Sequence, residues 1–300
     1  MIIDQETEKL LYKLQEYKMN KNITQQFKFT FILFAFSISI FGWGKTGHIN
    51  ITKHAFKLLQ QNMNVTQIYA DSIVNKSNDP DIRVRTIKEQ APWHYIDIDY
   101  YKEFNNLEMI YCYDSLVSRY GENEVKKQGT LPWVIERNYN KLIEAFRNKH
   151  LTEILFYSAE VAHFVADAHM PLHATINYDG QLTNQKGIHS RYESKLVGKY
   201  LNEICKGFYI QPLDTINNPL LTAFDILDNS FSFINIILDS DKKASELAHS
   251  SETDMYYGLL WKQTDYITYI QMNNAAKFVA SYIYSAWFKA GMPKIEKYIN

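Results

Sequence analysis

From residue 43 onward, apolar side chains recur at three- and four-residue intervals, while alternating strand-like stretches are scarce. The spacing predicts helices over roughly 48–62, 65–76, 107–127, 131–148, 151–169, 189–204 and 254–289. In 151–169, Leu151, Ile154, Leu155, Val161, Ala162 and Val165 form a stripe broad enough for a helix inside the core. Thr130-Leu131-Pro132 followed by Glu136 reads as a helix start, because proline in the first turn gives up an N–H that has no partner there anyway. With only 11 glycines and 7 prolines in 300 residues, the chain has few breakers, which favours long helices. No linker, repeat or low-complexity tract interrupts the stretch after Gly42. The expectation is an all-α fold: one multi-helix domain over residues 43–300.

The first 42 residues read differently. A polar stretch to Asn20 contains a second methionine, Met19; Lys21 and Lys28 then precede an uncharged run from Phe29 to Phe41. A basic segment before a short apolar run is the pattern of a secretory signal peptide, and the run is too short to span a bilayer comfortably. Residues 1–42 are therefore expected to be a leader, translated from Met19 and cleaved before Trp43, with no transmembrane helix retained. The mature protein is expected to be secreted or periplasmic. Composition narrows the function only slightly. An apolar fraction of 46% supports a sizeable core, and 32 basic against 33 acidic residues leave no basic track for holding duplex DNA. Cys112 and Cys205 form no Cys-x-x-Cys pattern, so they read either as one bridge or as two buried thiols, and any metal must be held by His, Asp and Glu.

Candidate ligands of that kind cluster. The central string is His163-Phe-Val-Ala-Asp167-Ala-His169-Met-Pro171-Leu-His173. Residues four apart share a helix face, so His163 and Asp167 can reach one ion; Pro171 should end the helix and free His173 to reach another position. His189-Ser-Arg-Tyr-Glu193 repeats the four-residue spacing of imidazole and carboxylate. A single His-x3-Glu pair would ordinarily be a surface hydrogen bond, and a single core histidine an ordinary packed residue. Their conjunction with Trp43-Gly-Lys-Thr-Gly-His48, with Asp79-Pro80-Asp81 and with Trp93-His94-Tyr95-Ile96-Asp97 changes that reading.

In this order and spacing, the motifs resemble the superfamily of zinc-dependent phospholipases C and S1/P1 nucleases. The resemblance spans Trp43 to Glu193 and implies an all-α fold of that type holding three zinc ions. It implies one ion on Asp81, His94, His163 and Asp167, and a second on His173, His189 and Glu193. The third would be held by the α-amine and carbonyl of Trp43, by His48 and by a bridging Asp167. Asp79 competes with Asp81, which is preferred because Pro80-Asp81 matches the family's Pro-Asp step. Asp81 would also orient the attacking water. His54, His150, His169 and His249 take no slot. Three carboxylates against three Zn²⁺ leave a net charge of about +3, which favours an anionic phosphodiester over a neutral ester.

The substrate remains open between two classes. Glu193 follows the phospholipase C pattern, where S1/P1 nucleases place Asp, and this favours phospholipid head groups. Against a choline preference, Ile82 and Ala91 stand where choline-recognising members carry aromatics. The alternative is a single-strand nuclease or nucleotidase, for which Trp93, Tyr95, Tyr100 and Tyr101 are candidate stacking faces. A non-catalytic zinc- or lipid-binding protein would be expected to have lost ligands, and none is missing.

Overall fold

The computed structural model describes residues 43–106 and 108–294, and the expected leader with its cleavage point lies outside them. Among the described residues there are helices and turns and no strand. Eight helices frame the site: α1 (Gly44–Leu59), α2 (Gln67–Lys76), α3 (Asp79–Val84), α4 (Leu131–Asn148), α5 (Leu151–Ala168), α6 (Pro219–Phe231), α7 (Ile234–Ala248) and α8 (Asp254–Lys289).

The centre of the fold is the pair α4 and α5 with α8 across it. Lys149 closes α4 in the left-handed conformation (φ 56°), so the chain reverses within two residues and α5 returns alongside α4. From Ser158 to its end α5 is buried on every face, with Val161, Ala162, Phe164, Val165, Ala166 and Ala168 fully so, while its first turns stay exposed at Thr152, Glu153 and Phe156. α8 runs for 36 residues, about 54 Å at helical rise. It packs on α1, α4, α5 and α7. The small residues Ala275, Ala276, Ala280, Ser281, Ser285 and Ala286 line its buried part and let neighbouring helices approach closely. All these elements belong to one compact unit.

Three local expectations are corrected. The 107–127 stretch is two short helices, Tyr113–Tyr120 and Glu122–Lys127, broken at Gly121, whose φ of 84° suits a residue without Cβ. The 189–204 stretch begins as α-helix at Ile188–Ser190, widens to a π-helical segment over Arg191–Leu196, and breaks again at Tyr200. α6 and α7 were not anticipated. Each buries one face, Ala223, Phe224, Ile226 and Leu227 in α6 and Ile234, Ile237 and Leu238 in α7, but apolar residues also stand on the exposed faces, Leu221 (39% exposed) and Ile236 (40%), and blur the period. By length and composition 219–248 is apolar enough to cross a membrane, yet here it is two helices packed on α4, α5 and α8. Cys112 and Cys205 are neither bridged nor buried: both are free and exposed.

Candidate metal centre

Five separate pieces of chain converge beside α5. α5 itself presents His163 and Asp167 one turn apart, both fully buried. α3 begins with Pro80 in its first turn and points Asp81 inward (2% exposed), while Asp79 stays half-buried outside the clusters. His94 ends the 3-10 turn Lys88–Trp93, and His173 ends a second one, Pro171–His173. His189 and Glu193 sit at the junction of the short α-helix and the π-helical segment, and His48 lies on α1.

These residues form three groups of close ligand atoms: Asp81, His94 and His163; His48, His163 and Asp167; His173, His189 and Glu193. In the first, Asp81 Oδ1 lies 3.4 Å from His163 Nε2 and 3.7 Å from His94 Nε2. Asp167 divides its oxygens: Oδ1 faces His48 Nε2 at 3.2 Å, and Oδ2 faces His163 Nε2 at 3.2 Å. In the third group His189 Nε2 is 2.9 Å from Glu193 Oε2 and 3.1 Å from His173 Nε2. Zinc bonds of about 2.0–2.1 Å in a tetrahedron place neighbouring ligand atoms about 3.3 Å apart, so these separations fit that ion.

The hydrogen bonds point the same way. His94, His163 and His173 each donate Nδ1–H to a backbone carbonyl, of Gln90 (3.1 Å), Ser77 (2.8 Å) and His94 (2.6 Å) respectively. A carbonyl can only accept, so each Nδ1 carries a proton and each Nε2 is the nitrogen turned toward the cluster, where a bound cation would take its lone pair. Both oxygens of Asp81 and of Asp167, and Nε2 of His48, His94 and His163, are buried without a hydrogen-bond partner. So many orphaned acceptors in one place would cost several kcal/mol unless a cation satisfied them. The donor set therefore fits zinc on chemistry as well as spacing.

Charge follows from burial. Desolvation pushes His94 and His189 down to about 4, against the raising effect of nearby carboxylates, so both imidazoles are neutral ligands at neutral pH. Burial also opposes charge on His163, but Asp167 and Asp81 outweigh it and hold its pKa well above the usual value. Burial likewise opposes the Asp167 carboxylate, and His163 and His48 outweigh it and keep it well below the usual range. Glu193 has weaker help: burial raises it to about 8 despite His173. It needs a cation beside it to be a carboxylate at neutral pH.

The structure thus brings together every expected side-chain ligand. Trp43 begins α1 with its indole buried against Tyr192, and its carbonyl accepts from Gly47 N–H at 3.0 Å. Glycine is required on both sides of this corner. A Cβ on Gly47 would lie 2.6 Å from Trp43 Cβ, and one on Gly44 (φ 51°) 2.8 Å from Ser194 Oγ. The other four histidines stay out of the clusters. His54 stacks on Phe208, His169 donates Nδ1–H to Val165 O, and His150 and His249 are exposed.

Sequence reasoning missed a supporting clamp. Arg83 reaches Glu160 Oε2 at 2.7 Å and Gln90 Oε1 at 3.2 Å, and the carbonyl of that same Gln90 orients His94. The turn carrying His94 is thereby tied to α5, one turn before His163. The clue was available: Arg83 follows Asp81 by two positions, and Glu160 precedes His163 by three. It also missed Tyr178, 40% exposed, whose ring meets that of His189 edge-on at 5.8 Å. Tyr95 and Asp97 are its electrostatic neighbours. Asp97 is almost buried, and that burial, with Asp99 adding to it, raises the carboxyl to about 7.

No curated protein matches the chain. Residues 43–286 match the family described as S1/P1 Nuclease, a span that starts at Trp43 and takes in every clustered ligand. The chain belongs to the S1/P1 nuclease family of zinc-dependent phosphodiester hydrolases.

Proposed function

We propose that the chain is exported, trimmed to begin at Trp43, and acts as a three-zinc phosphodiesterase on single-stranded nucleic acid or nucleotides. The observation that carries the substrate class is the family match over residues 43–286. Supporting it is the polar and aromatic wall beside the ligands. Tyr178 offers a half-exposed ring next to His189, and the unpartnered Oδ1 of Asp97 is an acceptor within the same neighbourhood. An aromatic face with a hydrogen-bonding edge suits a base better than a lipid head group. Of the faces expected from sequence, Tyr101 is buried in the core, Trp93 is covered by Arg137 (4.4 Å) and Tyr100 packs on Tyr101 and Tyr120, which leaves Tyr95, with the unanticipated Tyr178 as its neighbour.

One ion is assigned to Asp81, His94, His163 and Asp167, a second to His173, His189 and Glu193. The third is assigned to His48, Asp167 and the α-amine of Trp43, the terminal residue after leader cleavage. Bound zinc supplies a lowered pKa for water and neutralises charge on phosphoryl oxygens. The protein's own contribution is orientation. Asp81 positions the attacking water, the Nδ1–H donors hold each imidazole in one tautomer, and the closed core around α5 excludes bulk solvent. Near-neutral surface charge leaves duplex gripping without a basic track.

Phospholipid head-group release is the second reading, favoured by one residue, Glu193, in place of the nuclease family's Asp. Ile82, half-exposed beside Asp81, gives no cage for a choline. A side-by-side assay of zinc-loaded Trp43–Asn300 on single-stranded DNA, single-stranded RNA and mixed phospholipid vesicles separates the two. Cleavage of the nucleic acids is expected. Inertness toward them with phospholipid turnover would reverse the assignment.

A further inference from the structure

Three Asn-x-Ser/Thr triplets lie among the described residues: Asn50-Ile51-Thr52, Asn64-Val65-Thr66 and Asn75-Lys76-Ser77. A fourth, Asn22-Ile23-Thr24, precedes the proposed cleavage point and lies outside them. In an exported chain such triplets are acceptors for N-linked oligosaccharide, which couples to the side-chain amide nitrogen of the Asn. The fold treats the three very differently.

Asn64 is exposed in the loop between α1 and α2, with Thr66 extended (φ −73°, ψ 151°) as the residue that caps α2. Asn75 is exposed on the last turn of α2. Neither amide nitrogen has a hydrogen bond to the protein, so a sugar on either projects into solvent. Asn50 is the opposite case. It sits within α1, half-buried, and its amide nitrogen donates to Thr46 O at 2.8 Å. Its Oδ1 accepts the Cys205 thiol at 3.6 Å, across a cleft of about 410 Å³ that Asn50 helps to line. Thr52 is fully buried, as is Ser77 of the Asn75 triplet, so it is the Asn amides and not the hydroxyls that separate the sites. Oligosaccharide is added before the chain folds, and one on Asn50 would stand between α1 and the Leu201–Lys206 helix.

We infer that Asn64 and Asn75 carry N-linked glycans and that Asn50 is bare in the folded, secreted protein. The inference rests on the export reading. α2, ten residues and so about 15 Å long, separates the two acceptors, and the glycans flank its exposed Ile68 (54%).

The test is to express the full chain in a eukaryotic secretory host and treat the secreted protein with an amidase that leaves Asp in place of each glycosylated Asn. Peptide mapping should find Asp at 64 and 75 and unchanged Asn at 50. N64Q and N75Q should each remove one glycan increment from the intact mass, and N50Q none. A glycan at Asn50, or bare Asn64 and Asn75 in secreted protein, overturns the inference. A parallel chain with residues 1–42 exchanged for the host's own signal sequence keeps the two readings apart. If only the native-leader chain stays in the cell, the export reading fails, and with it the claim for the natural protein. If the exchanged chain is secreted bare at Asn64 and Asn75, it is the glycan inference that fails.

Discussion

The His163–Asp167 pair and the His189–Glu193 pair share one sequence spacing and sit in opposite kinds of structure. The first is on the fully buried half of a regular α-helix, with His163 Nδ1 tied to Ser77 O and each Asp167 oxygen facing a different histidine. The second begins a π-helical segment, has His189 Nδ1 buried without a partner, and carries a carboxyl that burial raises to about 8. π-Helical turns are less well bonded than α turns and recur at functional sites. The same imidazole–carboxylate spacing therefore yields a charge-rich half-site on α5 and a charge-poor one beside it. His173 joins them: it donates Nδ1–H to His94 O, and its own carbonyl accepts Ile96 N–H at 2.9 Å.

The sharpest test of this contrast is Asp167→Asn against Glu193→Gln. Asp167→Asn should lower turnover by more than about 100-fold, beyond the loss typical of residues that only support a ligand. Elemental analysis should find fewer zincs per chain than in Glu193→Gln, because one carboxylate serves two groups. Equal metal content in the two variants would remove the bridging role.

Next in size is the amino terminus. A peptide nitrogen has its lone pair delocalised and cannot coordinate, whereas a free α-amine with pKa near 8 can. A form retaining Gly42 should therefore bind one zinc fewer than Trp43–Asn300 and lose most of its activity. Identical metal content in both would return His48 to an ordinary buried histidine.

Smaller again is the effect of cutting the clamp. Arg83→Met should weaken metal binding by roughly 10- to 100-fold through His94, leaving the His189 group nearly intact. Arg83→Lys should recover part of the loss by keeping the charge near Glu160. The readout is zinc affinity by competition with a chromogenic chelator, which a purely structural role for Arg83 would not move selectively.

The smallest effect concerns pH in chelator-treated protein. Glu193 has its folded pKa raised from 4.5 to about 8, so between those values the unfolded chain binds fewer protons than the folded one. Stability from this group is thus complete below about 4.5 and lost as pH rises through about 8. His94 and His189, lowered from 6.5 to about 4, act in reverse: their contribution is complete above 6.5 and lost as pH falls toward 4. Glu193→Gln should raise the metal-free unfolding midpoint at pH 8.5 and leave it unchanged at pH 4. A midpoint that moves equally at both would place the effect in packing.

How much of this was legible before folding differs by residue. The two four-residue pairs could be read directly, because helical periodicity is local: once 151–169 is a helix, His163 and Asp167 must share a face. The helix stop at Pro171 is local in the same sense, and so is the all-α character. α6 and α7 escaped notice because exposed apolar residues, Leu221, Ile236 and Leu247, interrupt the polar stripe that would mark the period. The π-helical widening at Arg191–Leu196 is set by what the segment packs against, among it Gly44 beneath Ser194.

By itself the sequence determined the ligand types, their order along the chain and the pairing of those a helical turn apart. The sequence preferred Asp81 to Asp79 only through the Pro-Asp step, and it is the tertiary structure that buries Asp81 among the histidines and leaves Asp79 half-buried outside them. Only it decided which ring nitrogen of each histidine is bare, because the carbonyls that take the other proton, of Gln90, Ser77 and His94, come largely from other segments. Only it revealed that Arg83 and Glu160 hold His94 in place across 77 residues of chain. Contacts of that range carry no period and no motif. They exist because packing α5 into the core draws α1, α3 and the two 3-10 turns onto its one polar face.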